Sequence, residues 1–145
     1  MREIPAVDAA VLQERLVAFI RAFGLHQPEQ TPCGQPITVS EAHALIELAR
    51  DAPFSQAELA RRLNLEKSTV SRLVGQLSSR GWVQRGSDPH DGRAALLTLT
   101  DSGSKAAANL NAARQAKFGA LLQAIPEADR PAVLEALKIL TKALS

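Results

Sequence analysis

Between Ser55 and Thr100 the chain runs SQAELARRLNLEKSTVSRLVGQLSSRGWVQRGSDPHDGRAALLTLT, and no other stretch limits the fold so narrowly. Ser55 and Glu58 stand at capping-box spacing, with Phe54 placed to staple onto Leu59. The helix they open must be short, because Asn64 suits a left-handed turn after Leu63. A second helix follows over Glu66 to Arg80 and is closed by Gly81. Trp82–Arg85 and Ala94–Leu99 then read as two strands, with Leu97 and Leu99 on one face. Between them lies GSDPHDG, rich in turn formers. Two helices around a tight turn, then a hairpin with a charged tip, make a winged helix-turn-helix. Such a module sets one helix into a DNA groove.

The flanks are helical. Leu12, Leu16, Phe19, Ile20 and Phe23 recur at spacings of three and four over residues 7–23, and Gly24 is the stop. HQPEQTPCGQP (26–36) is a loop by its prolines and glycine. Thr38 and Glu41 form another capping box, opening a helix to about Arg50 that should bury Ala42, Leu45, Ile46 and Ala49 and end at Asp51-Ala52-Pro53. Thr100 and Asp101 start a long helix whose apolar line is Ala106, Leu110, Ala113, Phe118, Leu121 and Leu122. Pro126 suits the first turn of a last helix, where Val133, Leu137, Leu140 and Leu144 repeat like a coiled-coil seam. The expected fold is therefore mainly α with a small β-hairpin wing. Its division is 1–36 (helix and loop), 37–100 (winged lobe) and 101–145 (closing helices).

With only about 50 residues in the central lobe, amphipathic helices on both sides need cover. A second copy is the expected cover, through Leu12, Leu16, Phe19, Phe23, Leu121, Val133, Leu137 and Leu140; the alternative is a monomer whose outer helices fold onto its own lobe. A two-fold dimer sets its recognition helices about 34 Å apart, one turn of DNA.

On the Glu66–Arg80 helix, Val70, Leu73, Val74 and Leu77 form a narrow inward stripe. The opposite side carries Ser68, Ser71, Arg72, Gly75 and Ser79, flanked by Thr69 and Gln76, with Lys67 in the first turn. Short hydroxyls, an amide and one arginine suit close approach to phosphates and base edges, whereas a merely solvated face usually carries long Glu and Lys. At the hairpin tip, Arg93 could enter a minor groove with Asp91 holding its guanidinium, His90 lying alongside. Taken alone, this tip favours a solvated turn with a surface ion pair; placed after a recognition helix, it favours a wing. Net charge is only +2, but residues 55–93 hold seven basic and four acidic side chains, leaving −1 for the rest. The basic bias sits on the module.

Thr38 to Thr100 resembles the MarR family of bacterial transcriptional regulators, in the LARRLNLEKSTVSRLVGQLSSRGWVQR run, the DPHDGR wing and the closing LTLT. The resemblance implies a homodimer with a shared helical head and paired recognition helices reading a palindrome. It gives Arg93 the role of wing arginine and puts Ser68, Thr69, Ser71 and Arg72 on the recognition helix. It also implies a repressor, either constitutive or released from DNA when a small phenolic or anionic effector binds between head and lobes; the sequence offers hinges for such a release near Pro53 and Thr100. Three positions depart from the family pattern: Gly75 stands where an acidic residue is common, and His90 and Gly92 replace arginines often found beside the wing arginine.

Other chemistries find less support. Cys33, the single cysteine, sits in a Pro/Gly loop with no tyrosine anywhere in the chain, so redox sensing is an alternative without a low-pKa environment to drive it. His26, Cys33, Glu41, His43 and Glu47 match no zinc-ligand spacing. His90-Asp91 lacks the further ligands of a phosphohydrolase. No phosphate-binding glycine loop or GxSxG nucleophile is present, so neither an enzyme nor a cofactor is expected. A winged-helix module for protein contact alone is the competing class. One cysteine, no apolar run near the roughly 18 residues of a membrane span and no signal-peptide pattern point to the cytoplasm.

Overall fold

The computed structural model describes residues 6–25, 27, 30, 31, 34–87, 89, 90 and 95–145. In chain order these form α1 (Ala6–Phe23), α2 (Val39–Asp51), β1 (Phe54–Ser55), α3 (Gln56–Leu63), α4 (Lys67–Ser79), β2 (Val83–Ser87), β3 (Ala95–Leu99), α5 (Asp101–Ala124), a 3-10 turn (Glu127–Asp129) and α6 (Arg130–Ala143). The architecture is the one the pattern predicts, mainly α with a small β wing.

Local chemistry sets most boundaries. Gly24 ends α1 at φ 93°. Thr38 and Glu41 close a complete capping box on α2, with Glu41 N–H on Thr38 Oγ1 and Thr38 N–H on Glu41 Oε1, both at 3.1 Å. Asn64 takes φ 54°, ψ 48°, the left-handed turn that separates α3 from α4. Thr100 caps α5, accepting from Gly103 N–H at 3.0 Å.

Four details differ from the sequence pattern. The hairpin gains a third strand: β1 pairs antiparallel with β3, Phe54 opposite Leu97, giving the order β1-β3-β2. Ser55 does cap α3, but Glu58 does not return the bond; Arg61 and Arg62 claim its carboxylate. On α2 the buried apolar positions are Ala42, Ala44, Leu45 and Leu48, while Ile46 is half-buried and Ala49 exposed, because α2 is covered by the lobe on one side and α5 on the other. Pro126 opens the 3-10 turn, and Pro131 occupies the first turn of α6, whose last residue is Ala143, so Leu144 lies just outside it.

The core lies inside the winged lobe, where Leu45, Leu48, Leu59, Val70, Val74, Leu77 and Leu97 are fully buried. Leu110 and Ala107 carry it onto the first half of α5. Beyond that the helices are bare. Leu12, Leu16, Phe19, Phe118, Leu121, Leu122, Leu134, Leu137 and Ile139 are exposed, and no residue of α6 is buried.

Arg62 ties α2 to α3. Its guanidinium meets Asp51 at 2.6 Å, Glu47 at 3.0 Å and Glu58 at 3.0 Å, and lies 4.4 Å from the Phe54 ring centroid. Hydrogen bonds from Arg61 and then Arg62 hold the Glu58 carboxyl down to about 2, and those from Arg62 and then Arg50 lower Asp51. A depressed carboxylate stabilises the fold above its unfolded pKa, near 4.5 for Glu58, and loses that contribution as pH falls toward the folded value. The melting temperature is therefore expected to fall between about pH 4.5 and 2, and the double variant Arg61→Gln/Arg62→Gln to flatten that acid limb. Unchanged pH profiles by circular dichroism would contradict this linkage.

Candidate nucleic-acid interface

α4 is held by its inward stripe: Val70, Leu73, Val74 and Leu77 are all buried. That fixes what faces outward. Lys67, Ser68, Ser71, Arg72, Gly75, Gln76 and Ser79 are exposed, and Thr69 is half-buried at the margin. These are the residues that the sequence singles out, brought onto one open face. Ser79 Oγ turns back onto the Gly75 carbonyl at 2.9 Å, so it adds little bulk.

The far end of α4 is fixed by a contact that sequence spacing does not suggest. Arg80 Nε donates to Glu41 Oε2 at 2.6 Å, and the Arg80 guanidinium lies 5.0 Å from the Trp82 ring centroid. Glu41 is only 3% exposed. The pair joins the end of α4 to the first turn of α2, across 39 residues of sequence. Between these two helices lies a groove of about 850 Å³, with Arg72, Gly75, Gln76 and Ser79 on one wall and Pro36 and Thr38 on the other.

The wing follows α4. β2 and β3 pair from Val83 opposite Leu99 to Ser87 opposite Ala95. His90 is exposed near the tip. Asp91 and Arg93, with Asp88 and Gly92, lie outside the described residues, as do His26 and Cys33. Among the described residues no cluster of three or more His, Cys, Asp or Glu could hold a metal ion, and no helix is long and apolar enough to cross a membrane.

A separate cavity of about 80 Å³ opens where α1, α2 and α5 meet. Phe23, Phe118 and Leu110 wall it, with Thr31, His43, Arg114 and Lys117 as its polar groups. The Phe23 ring stacks on Phe19 and lies tilted against Phe118, each at 5.6 Å between centroids. Burial, and next the Arg114 charge, lower the His43 pKa against an opposing pull from Glu47. Arg114 and Lys117 are the permanent positive charges in the lining.

Residues 35–94 match the MarR family model. The chain is 27% identical over 95 residues to an HTH-type transcriptional regulator of Mycobacterium bovis, a stretch covering 66% of each chain. It is 33% identical over 75 residues to the HTH-type transcriptional repressor NicR of Pseudomonas putida, covering 52% of this chain and 48% of that one. In fold it is similar to FabT of Streptococcus pneumoniae, crystallised in complex with DNA, with a TM-score of 0.70 at 17% identity over 94% of this chain and 93% of that one.

Proposed function

We propose that the chain is a winged helix-turn-helix regulator of the MarR family, on the match over residues 35–94 and the likeness to a mycobacterial HTH-type regulator, and that it acts as a homodimeric, sequence-specific DNA-binding repressor. The observation that carries this reading is the outer face of α4, where seven exposed or marginal polar positions and Gly75 surround no packed neighbour. Arg72 can address a guanine bidentately, while Lys67, Ser68, Thr69, Ser71 and Gln76 supply phosphate and base-edge contacts. His90 and Arg93 are assigned to the wing, with Asp91 steadying Arg93. The family's regulators bind DNA and are not enzymes.

The dimer is supported by bare apolar residues on α1, α5 and α6. Leu12, Leu16, Phe19, Leu121 and Leu137 are exposed, and Phe23, Val133 and Leu140 are half-covered. A soluble monomer rarely shows so much contiguous apolar surface, and a two-fold partner covers it with the same face. Light scattering is expected to report twice the chain mass.

Duplexes selected from a random pool should contain an inverted repeat with half-sites about one turn apart. At one fixed salt concentration, Arg72→Ala and Arg93→Ala are each expected to weaken the selected duplex by about 5- to 150-fold. If both variants bind like wild type, the docking arrangement is wrong. If wild type prefers no duplex, the module serves protein contact instead.

Release by an effector is supported by the cavity between α1, α2 and α5. Its aromatic walls and the Arg114 and Lys117 charges suit a small phenolic or anionic molecule. Such a molecule loosens DNA only by binding the DNA-incompetent arrangement more tightly. Its place between the outer helices and the winged lobe is where that difference can arise.

A further inference from the structure

Resting on the DNA-binding reading, we propose that Arg85, at the base of the wing, grips a phosphate of the DNA strand that runs between the groove read by α4 and the groove entered by the wing. The register of the sheet places it. Arg85 of β2 lies opposite Leu97 of β3, and Leu97 lies opposite Phe54 of β1. Residues directly opposite share a face, and so do Val83 and Arg85, two apart on one strand. Phe54, Val83 and Leu97 are buried, so this is the side of the sheet that packs on the lobe. Arg85 continues the row beyond the core, where it is exposed. Its charge therefore stands on the lobe-facing side of the wing, in a row that is otherwise apolar.

What Arg85 meets there is the start of α3. Its Nη2 donates to Gln56 Oε1 at 3.5 Å, and Gln56 is the first residue of that helix. In a helix-turn-helix the first helix crosses the DNA backbone while the second lies in the major groove. A cation hung between the first turn of α3 and the wing thus stands over the phosphates that part α4 from the wing tip. Its bond to Gln56 is long and the partner neutral, which steers the guanidinium without cancelling its charge. The neighbouring arginines are matched within the lobe. Arg50, Arg61 and Arg62 meet Glu47, Asp51 and Glu58, and Arg80 meets Glu41. Arg85 has no carboxylate partner among the described residues. A charge so placed serves position rather than sequence, because a phosphate is the same beside every base.

The test compares wild type, Arg85→Gln, Arg85→Lys, Gln56→Ala and Arg61→Gln as full-length proteins. Fluorescence anisotropy over about 50 to 200 mM salt follows a duplex selected by wild type from a random pool and a scrambled duplex of equal length. Arg85→Gln is expected to bind both duplexes about tenfold more weakly and to flatten the slope of log K against log salt by about 2, one phosphate for each protomer of a dimer. Its melting temperature should stay at the wild-type value, as for most exposed substitutions. Arg85→Lys keeps the charge and most of the slope. Arg61→Gln removes the same charge from the same module, but one that Glu58 already meets, and should leave the slope as it is. The proposal is overturned if Arg85→Gln keeps the wild-type slope, or if it weakens the selected duplex alone, which makes Arg85 a reader of bases. It is overturned equally if Gln56→Ala reproduces the whole loss, since tethering of the wing is then the cause, or if Arg61→Gln flattens the slope as much, since net charge is then the cause. When wild type selects no duplex, the DNA-binding reading falls and takes this one with it.

Discussion

Alanine at Gly103 is expected to lower the melting temperature by roughly 10 °C, a large loss for a single added methyl group. An ideal Cβ at this position would lie 2.0 Å from the Trp82 carbonyl oxygen and 2.8 Å from its carbonyl carbon. Both atoms are backbone, so no rotamer change relieves the overlap. The same few atoms carry the hinge between wing and α5. Thr100 N–H donates to the Trp82 carbonyl at 3.0 Å, Thr100 Oγ1 donates to the Gly81 carbonyl at 2.6 Å, and Gly103 N–H donates to Thr100 Oγ1 at 3.0 Å. Moving α5 outward by the necessary ångström breaks this knot and pulls Ala107 and Leu110 from the core. Overpacking with lost hydrogen bonds costs about 3 kcal/mol. Gly86→Ala is the control, because a Cβ there meets nothing within 4 Å among the described residues. Thermal denaturation decides the matter: if the Gly103 variant melts within a degree or two of wild type, the contact relaxes freely.

Gly103 also marks where sequence stops being informative. Its glycine is visible in the chain, but the atom that requires it belongs to Trp82, reached through the sheet. What was legible is what neighbours in sequence decide. The caps at Thr38, Ser55 and Thr100, the left-handed Asn64 and the stripe of Val70, Leu73, Val74 and Leu77 all depend on residues within a turn or two. So did the open face of α4, which is the complement of that stripe. What was missed needed distant partners. Phe54 reads in sequence only as a staple, whereas in the fold it also pairs opposite Leu97 of β3. Glu58 matched a capping box, but two arginines on its own helix compete for the carboxylate and win. The cavity beside His43 is assembled from three helices, and no segment of it carries a pattern.

Arg80→Ala is the second large effect expected, a loss of about 2–4 kcal/mol of stability. Glu41 is almost wholly buried, and besides Arg80 its carboxylate accepts, among the described residues, only the Thr38 N–H at 3.1 Å. Without the guanidinium, a buried negative charge keeps one neutral donor. The lower end of the range is the better expectation, since the Arg80 side chain is 39% exposed and water can follow it in. Glu41→Gln keeps the cap geometry and removes the charge, so alone it leaves Arg80 unpaired but near solvent, a smaller penalty. Joining the two changes should cost less than their sum by about 1 kcal/mol or more, because the double variant buries no unmatched charge. Urea denaturation of the four proteins closes this cycle. Additive losses would show that Glu41 and Arg80 act separately, and that the end of α4 is held by packing of Leu77 and Trp82 alone. A coupled result gives the pair its function: it fixes the C-terminal end of α4 against the first turn of α2, so that the face carrying Arg72 and Gly75 is set at one angle before any duplex arrives.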